Sequence, residues 1–71
     1  KKEYTLAIKN LQKAVSIQPN SSEIMDHLGD CYFKIGRKKE ALFEWNRALI
    51  FDADKKLKEK IEKKIRLHET N

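Results

Sequence analysis

Residues 28–36 read LGDCYFKIG and contain both glycines of the 71-residue chain, Gly29 and Gly36. Gly29 lies inside an apolar pattern with helical spacing, although glycine in a helix interior costs about 1 kcal/mol relative to alanine. A missing side chain lets two backbones approach each other closely. We therefore predict that Gly29 marks the crossing of its own helix with the next one, which carries the small residues Ala41 and Ala48.

The spacing of apolar residues predicts the fold class. They recur at intervals of three and four along most of the chain, which is typical of helices with one buried face, and no segment alternates as a strand does. The chain is therefore predicted to be all-α. The pattern places four helices at about residues 2–17, 23–35, 38–51 and 55–68.

The breaks between these helices have the residues that turns require. Pro19 disfavours helical geometry in the residue before it, and Ser21 or Ser22 can cap the second helix. Gly36 can end that helix in a left-handed conformation. Asp52 or Asp54 can cap the fourth helix.

The chain also matches itself when it is shifted by 34 residues. Small residues align with small ones and large apolar residues with large apolar ones, which is the class of similarity that packing requires. The main aligned pairs are Ala7 with Ala41, Leu11 with Trp45, and Ala14 with Ala48.

The stretch M-x-x-L-G-x-x-Y, followed by A-x-x-x-W-x-x-A, spans residues 25–48. It resembles the tetratricopeptide repeat, whose 34-residue pattern is W-x-x-L-G-x-x-Y…A-x-x-x-F…A…P. Residues 22–55 look like one complete repeat, and residues 1–21 look like the second helix and turn of a preceding one. The resemblance implies antiparallel helix hairpins stacked in a right-handed α-solenoid. The departures are Met25, Trp45 and Ala53, in place of Trp, Phe and Pro.

The fourth helix does not continue the repeat. Leu57, Ile61 and Ile65 form one narrow apolar stripe, and the other faces carry Lys and Glu. This pattern is typical of a capping helix that covers the last apolar surface of an array. Residues 56–71 are therefore predicted to be a C-terminal cap.

The resemblance implies that the second helix lines a concave groove. Residues of this helix that are predicted to point away from the core share one acidic face that ends in an aromatic side chain. We expect a non-enzymatic protein-interaction module, with a peptide or partner helix, preferably containing Lys or Arg, in this groove. The alternative for the same face is an ordinary solvated surface. The predicted groove residues are Glu23, Asp26, His27, Asp30, Phe33 and Lys34.

The net charge of +5 suggests a second function class. Both ends of the chain are basic, and a basic helix can bind nucleic acid or another anionic surface through phosphate contacts. However, Glu59, Glu62 and Glu69 interleave with the lysines of the last helix, and residues 52–71 contain no aromatic residue for base stacking. Nucleic acid is therefore the less favoured partner. A third alternative is a purely structural end of a larger solenoid.

No pattern of catalytic or cofactor-binding residues is found, so neither an enzyme activity nor a cofactor is predicted. His27 and Cys31 are spaced i, i+4 on one helix face, but two ligands are too few for a metal site. As the only cysteine, Cys31 cannot form a disulfide within the chain, which slightly favours the cytoplasm. The resemblance extends to bacterial proteins, so the bacterial cell envelope stays open.

The first helix lacks the partner helix that a complete repeat would provide. We expect its apolar face to be exposed unless upstream repeats or a second copy of the chain cover it. No run of about 18 apolar residues is present, so no membrane span is predicted. The residues of this predicted self-association or upstream-repeat face are Tyr4, Ile8, Leu11 and Val15.

Overall fold

The computed structural model describes residues 3–51 and 53–69, and this part of the chain folds into four helices without strands. The all-α prediction is confirmed, and the helix bounds agree with it to within two residues wherever the predicted residues are described. The predicted start near residue 2, and Asp52 as a cap, lie outside the described residues. The helices are α1 (Tyr4–Ile17), α2 (Ser22–Lys34), α3 (Lys38–Ile50) and α4 (Lys55–Glu69).

Two side-chain caps and one glycine define three of the helix ends. The Ser21 hydroxyl accepts a hydrogen bond from the backbone N–H of Ile24 at 3.3 Å, so Ser21 rather than Ser22 is the N-cap of α2. Gly36, just after α2, has a φ of 83°, which is the left-handed geometry predicted for the residue that ends this helix. Asp54 accepts a bond from the N–H of Leu57 at 2.8 Å and caps α4.

The core lies between α2, α3 and α4. α2 packs against α1 on one side and against α3 on another, and α3 also packs against α4. The stripe predicted on α4 is confirmed, because Ile61 and Ile65 are buried and Leu57 packs against the same cluster. The buried members of the cluster are Met25, Ala41, Trp45, Ala48, Ile61 and Ile65.

The prediction that Gly29 lies where α2 contacts α3 is confirmed, although the atoms nearest to its Cβ position belong to the Trp45 side chain rather than to the backbone of α3. The indole of Trp45 lies directly on the Gly29 backbone, so a Cβ there would overlap Cδ1 and Nε1 and would lie 2.9 Å from Cε2. Trp45 is only 2% exposed. The absence of a side chain at Gly29 therefore leaves space on α2 for the Trp45 ring of α3.

The outer helix α1 differs in part from its prediction. Ile8 is buried against α2, so the prediction that it faces solvent was wrong. Tyr4, Leu11 and Val15 are half-buried, and Val15 packs against the core cluster. The most exposed apolar side chains of α1 are instead Leu6 and Ile17.

Each helix packs mainly on its neighbours in the chain, as helix hairpins do. The arrangement of these hairpins as a right-handed solenoid remains a prediction, as do the proposed repeat boundaries. Within the described ranges, no helix has both the length and the apolar character that crossing a membrane requires.

Candidate functional site

The face of α2 predicted to line a groove is only partly open. Glu23, His27, Phe33 and Lys34 are exposed, and Asp30 is half-buried. Asp26 is 2% exposed, so the prediction that it points away from the core was wrong. The reason is α4, which places a lysine on this carboxylate.

Lys64 of α4 forms ion pairs with two carboxylates of α2. Its Nζ lies 2.8 Å from Oδ1 of Asp26 and 2.8 Å from Oδ1 of Asp30. Burial disfavours the charged ammonium, but the hydrogen bonds and negative charges of Asp26 and Asp30 outweigh it and raise the pKa of Lys64 above its ordinary value. Lys64 is therefore charged at neutral pH and neutralises a carboxylate that would otherwise be buried alone.

Aromatic contacts continue this interface toward the C-terminal ends of α2 and α4. The Phe33 ring lies 4.3 Å from the His68 ring, centroid to centroid, and both lie 6.0 Å from Trp45. The Trp45 indole N–H donates to Oδ1 of Asp30 at 3.3 Å. Phe33 was predicted to be an anchor for a partner, and in the chain itself it contacts α4.

Sequence reasoning missed both Lys64 and His68 as contacts of this face. Lys64 was grouped with the other lysines of a solvated or phosphate-binding helix. The available signal was its helical spacing, three residues after Ile61 and seven after Leu57, which places it at the edge of the buried stripe. Because its ammonium is bound by carboxylates, Lys64 does not add to a phosphate-binding surface.

An open cleft lies between the N-terminal ends of α2 and α4, on the N-terminal side of the ion pairs that Lys64 forms. It has a volume of about 640 Å³, and it contains two acidic side chains, Glu23 and Asp54. A smaller depression of about 280 Å³ adjoins it at Asp54 and Leu57 and adds two lysines, Lys56 and Lys60. The residues of the larger cleft are Asn20, Ser21, Ser22, Glu23, Asp54 and Leu57.

A histidine and two carboxylates of α2 lie close enough together to be possible metal ligands. Ligand atoms of Asp26, His27 and Asp30 lie within 4.8 Å of one another. The ammonium of Lys64 is already hydrogen-bonded to both carboxylates, so a metal ion at this position would have to displace the Lys64 side chain.

Burial, followed by the negative charge of Asp30, raises the pKa of the Cys31 thiol, which keeps it protonated and weakly nucleophilic at neutral pH.

Comparisons of the chain with protein-family models, with curated proteins and with solved structures found no match. The resemblance to the tetratricopeptide repeat therefore remains a prediction from the sequence pattern.

Proposed function

We propose that this chain is a non-enzymatic protein-interaction module that binds a basic peptide segment in the cleft between α2 and α4. The observation that carries this proposal is the cleft itself, in which the carboxylates of Glu23 and Asp54 line an open space of about 640 Å³. Volumes of this order accommodate peptide side chains and small ligands.

The neighbouring part of the same face supports the choice of a basic ligand. There α2 already binds a lysine ammonium, that of Lys64, through two carboxylate oxygens at 2.8 Å. Glu23 lies one helical turn before Asp26, toward the N-terminus of α2. It is exposed, whereas Asp26 is buried, so a partner could place a Lys or Arg side chain on it. Charge complementarity of this kind contributes to both orientation and association rate.

The tetratricopeptide-like architecture belongs to the same proposal. Tight packing of Trp45 on Gly29, with Ala41 and Ala48 at 0% exposure, supports a stack of hairpins in which α2 lines the inner side. In such a stack α4 is the terminal cap. Of the predicted groove residues Glu23 lines this cleft, together with Asn20 and Asp54. Asp30 and Phe33 already contact Lys64, Trp45 or His68.

The test compares two exposed glutamates that both lie in the first turn of their helices. Glu23 and Glu40 are the acidic residues in the first turns of α2 and α3, but only Glu23 lines the cleft. Calorimetric titration with a lysine-rich and a glutamate-rich peptide is expected to show binding of the first alone. Glu23→Lys is expected to weaken that binding by about fivefold or more, and Glu40→Lys is expected to leave it unchanged.

Equal affinity for both peptides, or equal effects of the two substitutions, would contradict the cleft assignment. Absence of binding to either peptide by a folded chain would favour the purely structural role. Circular dichroism of each variant shows whether the helices are retained.

A further inference from the structure

Two lysines lie beside the cleft that contains Glu23 and Asp54. The smaller depression of about 280 Å³ shares Asp54 and Leu57 with this cleft, and its remaining residues are Lys56 and Lys60. Both lysines are exposed and are spaced i, i+4 on α4, so their side chains are neighbours on one face of the helix. Two adjoining concavities therefore carry opposite charges, which a ligand with a single type of charge does not match.

These two lysines differ from Lys64 in the same helix. The ammonium of Lys64 lies 2.8 Å from a carboxylate oxygen of Asp26 and 2.8 Å from one of Asp30. Within residues 3–51 and 53–69, no carboxylate forms an ion pair with Lys56 or Lys60. Their side chains are also exposed, so a ligand from outside the chain can reach them.

We propose that the segment bound in the cleft carries an acidic residue close to its basic one, a statement that rests on the proposed function. The Lys or Arg side chain lies at Glu23 and Asp54, and the Asp or Glu side chain lies in the smaller depression at Lys56 and Lys60. A purely basic segment would be attracted by the cleft but repelled by the two lysines. An acidic residue replaces that repulsion with attraction, and opposite charges at two positions also fix the direction of the segment.

The size of the surface indicates how far apart the two charges of the ligand are. Leu57 lines both concavities, and Lys60 follows it by three residues, which is about one helical turn or 5.4 Å along α4. In an extended segment, side chains two residues apart point to the same side and lie about 7 Å from each other. We therefore expect a basic and an acidic residue separated by one other residue, with the half-buried Leu57 beneath them.

Three peptides of equal length, with blocked termini and one lysine each, test this specificity. The first has Glu two residues from the lysine, the second has Gln at that position, and the third has its Glu eight residues away. Each is made with the lysine first and with the lysine last. NMR titration of the full chain, which follows binding in the millimolar range, is expected to show about threefold to fivefold tighter binding of the first peptide than of the other two.

Variants of α4 assign this preference to the two lysines. The double variant Lys56→Gln with Lys60→Gln is expected to lose the preference for the first peptide. It should also bind the Gln peptide more tightly than the parent chain does, because two repelling charges are gone. Lys58→Gln removes an exposed lysine that lines neither concavity, and it should keep the preference. Comparing each variant with each peptide gives the coupling between the lysines and the acidic residue directly.

The outcomes separate this proposal from the proposed function. If the Gln peptide or the peptide with distant charges binds as tightly as the first, the cleft still binds a basic residue but the acidic neighbour is wrong. A preference that survives in the double variant would also overturn the assignment to Lys56 and Lys60. If a chain that circular dichroism shows to be folded binds none of the peptides, both proposals fail.

Discussion

Helices α1 and α3 carry the same pattern of residue sizes 34 positions apart, yet they occupy different environments. On α3, Ala41, Trp45 and Ala48 are 0%, 2% and 0% exposed because α2 and α4 both pack against this helix. On α1 the equivalent residues are half-buried because α2 is its main neighbour. The number of neighbouring helices, rather than the residue pattern, determines how much each position contributes to stability.

The comparison is tested most strongly by truncating the equivalent large residues. Trp45→Ala is expected to cost about 3–5 kcal/mol, the range for a fully buried aromatic residue. Because a domain of this size has about that much total stability, this variant should be largely unfolded at 25 °C. Leu11→Ala, on the half-covered helix, is expected to cost about 1 kcal/mol, since half-burial removes less apolar surface from water. Urea unfolding at micromolar concentration, followed by circular dichroism, measures both, and similar losses would contradict the neighbour argument.

Removing the Lys64–Asp26 ion pair should loosen the packing of α4. Helix α3 would then have one main neighbour, as α1 has. Lys64→Met keeps most of the aliphatic stem but leaves Asp26 buried without its ion-pair partner. We expect a loss of about 2–3 kcal/mol, below the range for a fully buried pair because Lys64 is partly exposed. Lys63→Met, at an exposed neighbour, should change stability by less than about 0.5 kcal/mol.

Trp45 is the only tryptophan, so its fluorescence reports whether α4 still covers it. A red shift is expected in Lys64→Met and not in Lys63→Met. Adding Asp26→Asn to Lys64→Met should restore part of the lost stability, because the buried charge is then gone. If the double variant is less stable than Lys64→Met alone, the charge of Asp26 is not the cause.

The packing of α2 on α3 and the ion pair between α4 and α2 differ in how far the sequence predicts them. The seam at Gly29, Ala41 and Ala48 follows from residue sizes at helical spacing, and the stripe of α4 follows from the same rule. The Lys64–Asp26 pair joins residues 38 positions apart, and it depends on the angle at which α4 lies on α2. Charged residues at helical spacing resemble a solvated surface until that angle is known, so Asp26 was assigned to the open groove and Lys64 to a basic surface.

Placing a methyl group in the α2–α3 seam gives an intermediate effect. Gly29→Ala gains about 1 kcal/mol of helix propensity but forces the Trp45 ring out of its contact, an overpacking cost of about 1–3 kcal/mol. We therefore expect a net loss, seen as a lower Tm. In a Trp45→Leu background the same substitution should be neutral or stabilising, because no indole lies over the site. Equal losses in both backgrounds would show that Trp45 is not what excludes the Cβ.

The smallest expected effect comes from a carboxyl group that is buried on α3 and has an exposed counterpart on α1. Glu44 is 8% exposed, whereas its counterpart on α1 by the 34-residue shift is the exposed Asn10. Oε1 of Glu44 lies 3.1 Å from Nη2 of Arg47, close enough for an ion pair, but it accepts no hydrogen bond. Burial raises the pKa of Glu44, and the positive charge of Arg47 only partly opposes this.

A carboxyl whose pKa is higher in the folded than in the unfolded chain destabilises the fold where it is ionised. The loss develops as the pH rises from the unfolded value of about 4.3 through the folded pKa, and it disappears at lower pH. Glu44→Gln is therefore expected to raise the Tm at pH 7, with a gain of less than about 1 kcal/mol, and to match the parent chain near pH 4. The other carboxylates are shared by both proteins, so the difference in Tm between pH 4 and pH 8 isolates Glu44. Asn10→Gln on α1 should show no pH-dependent difference, and a gain at pH 4 equal to that at pH 7 would separate the effect from ionisation.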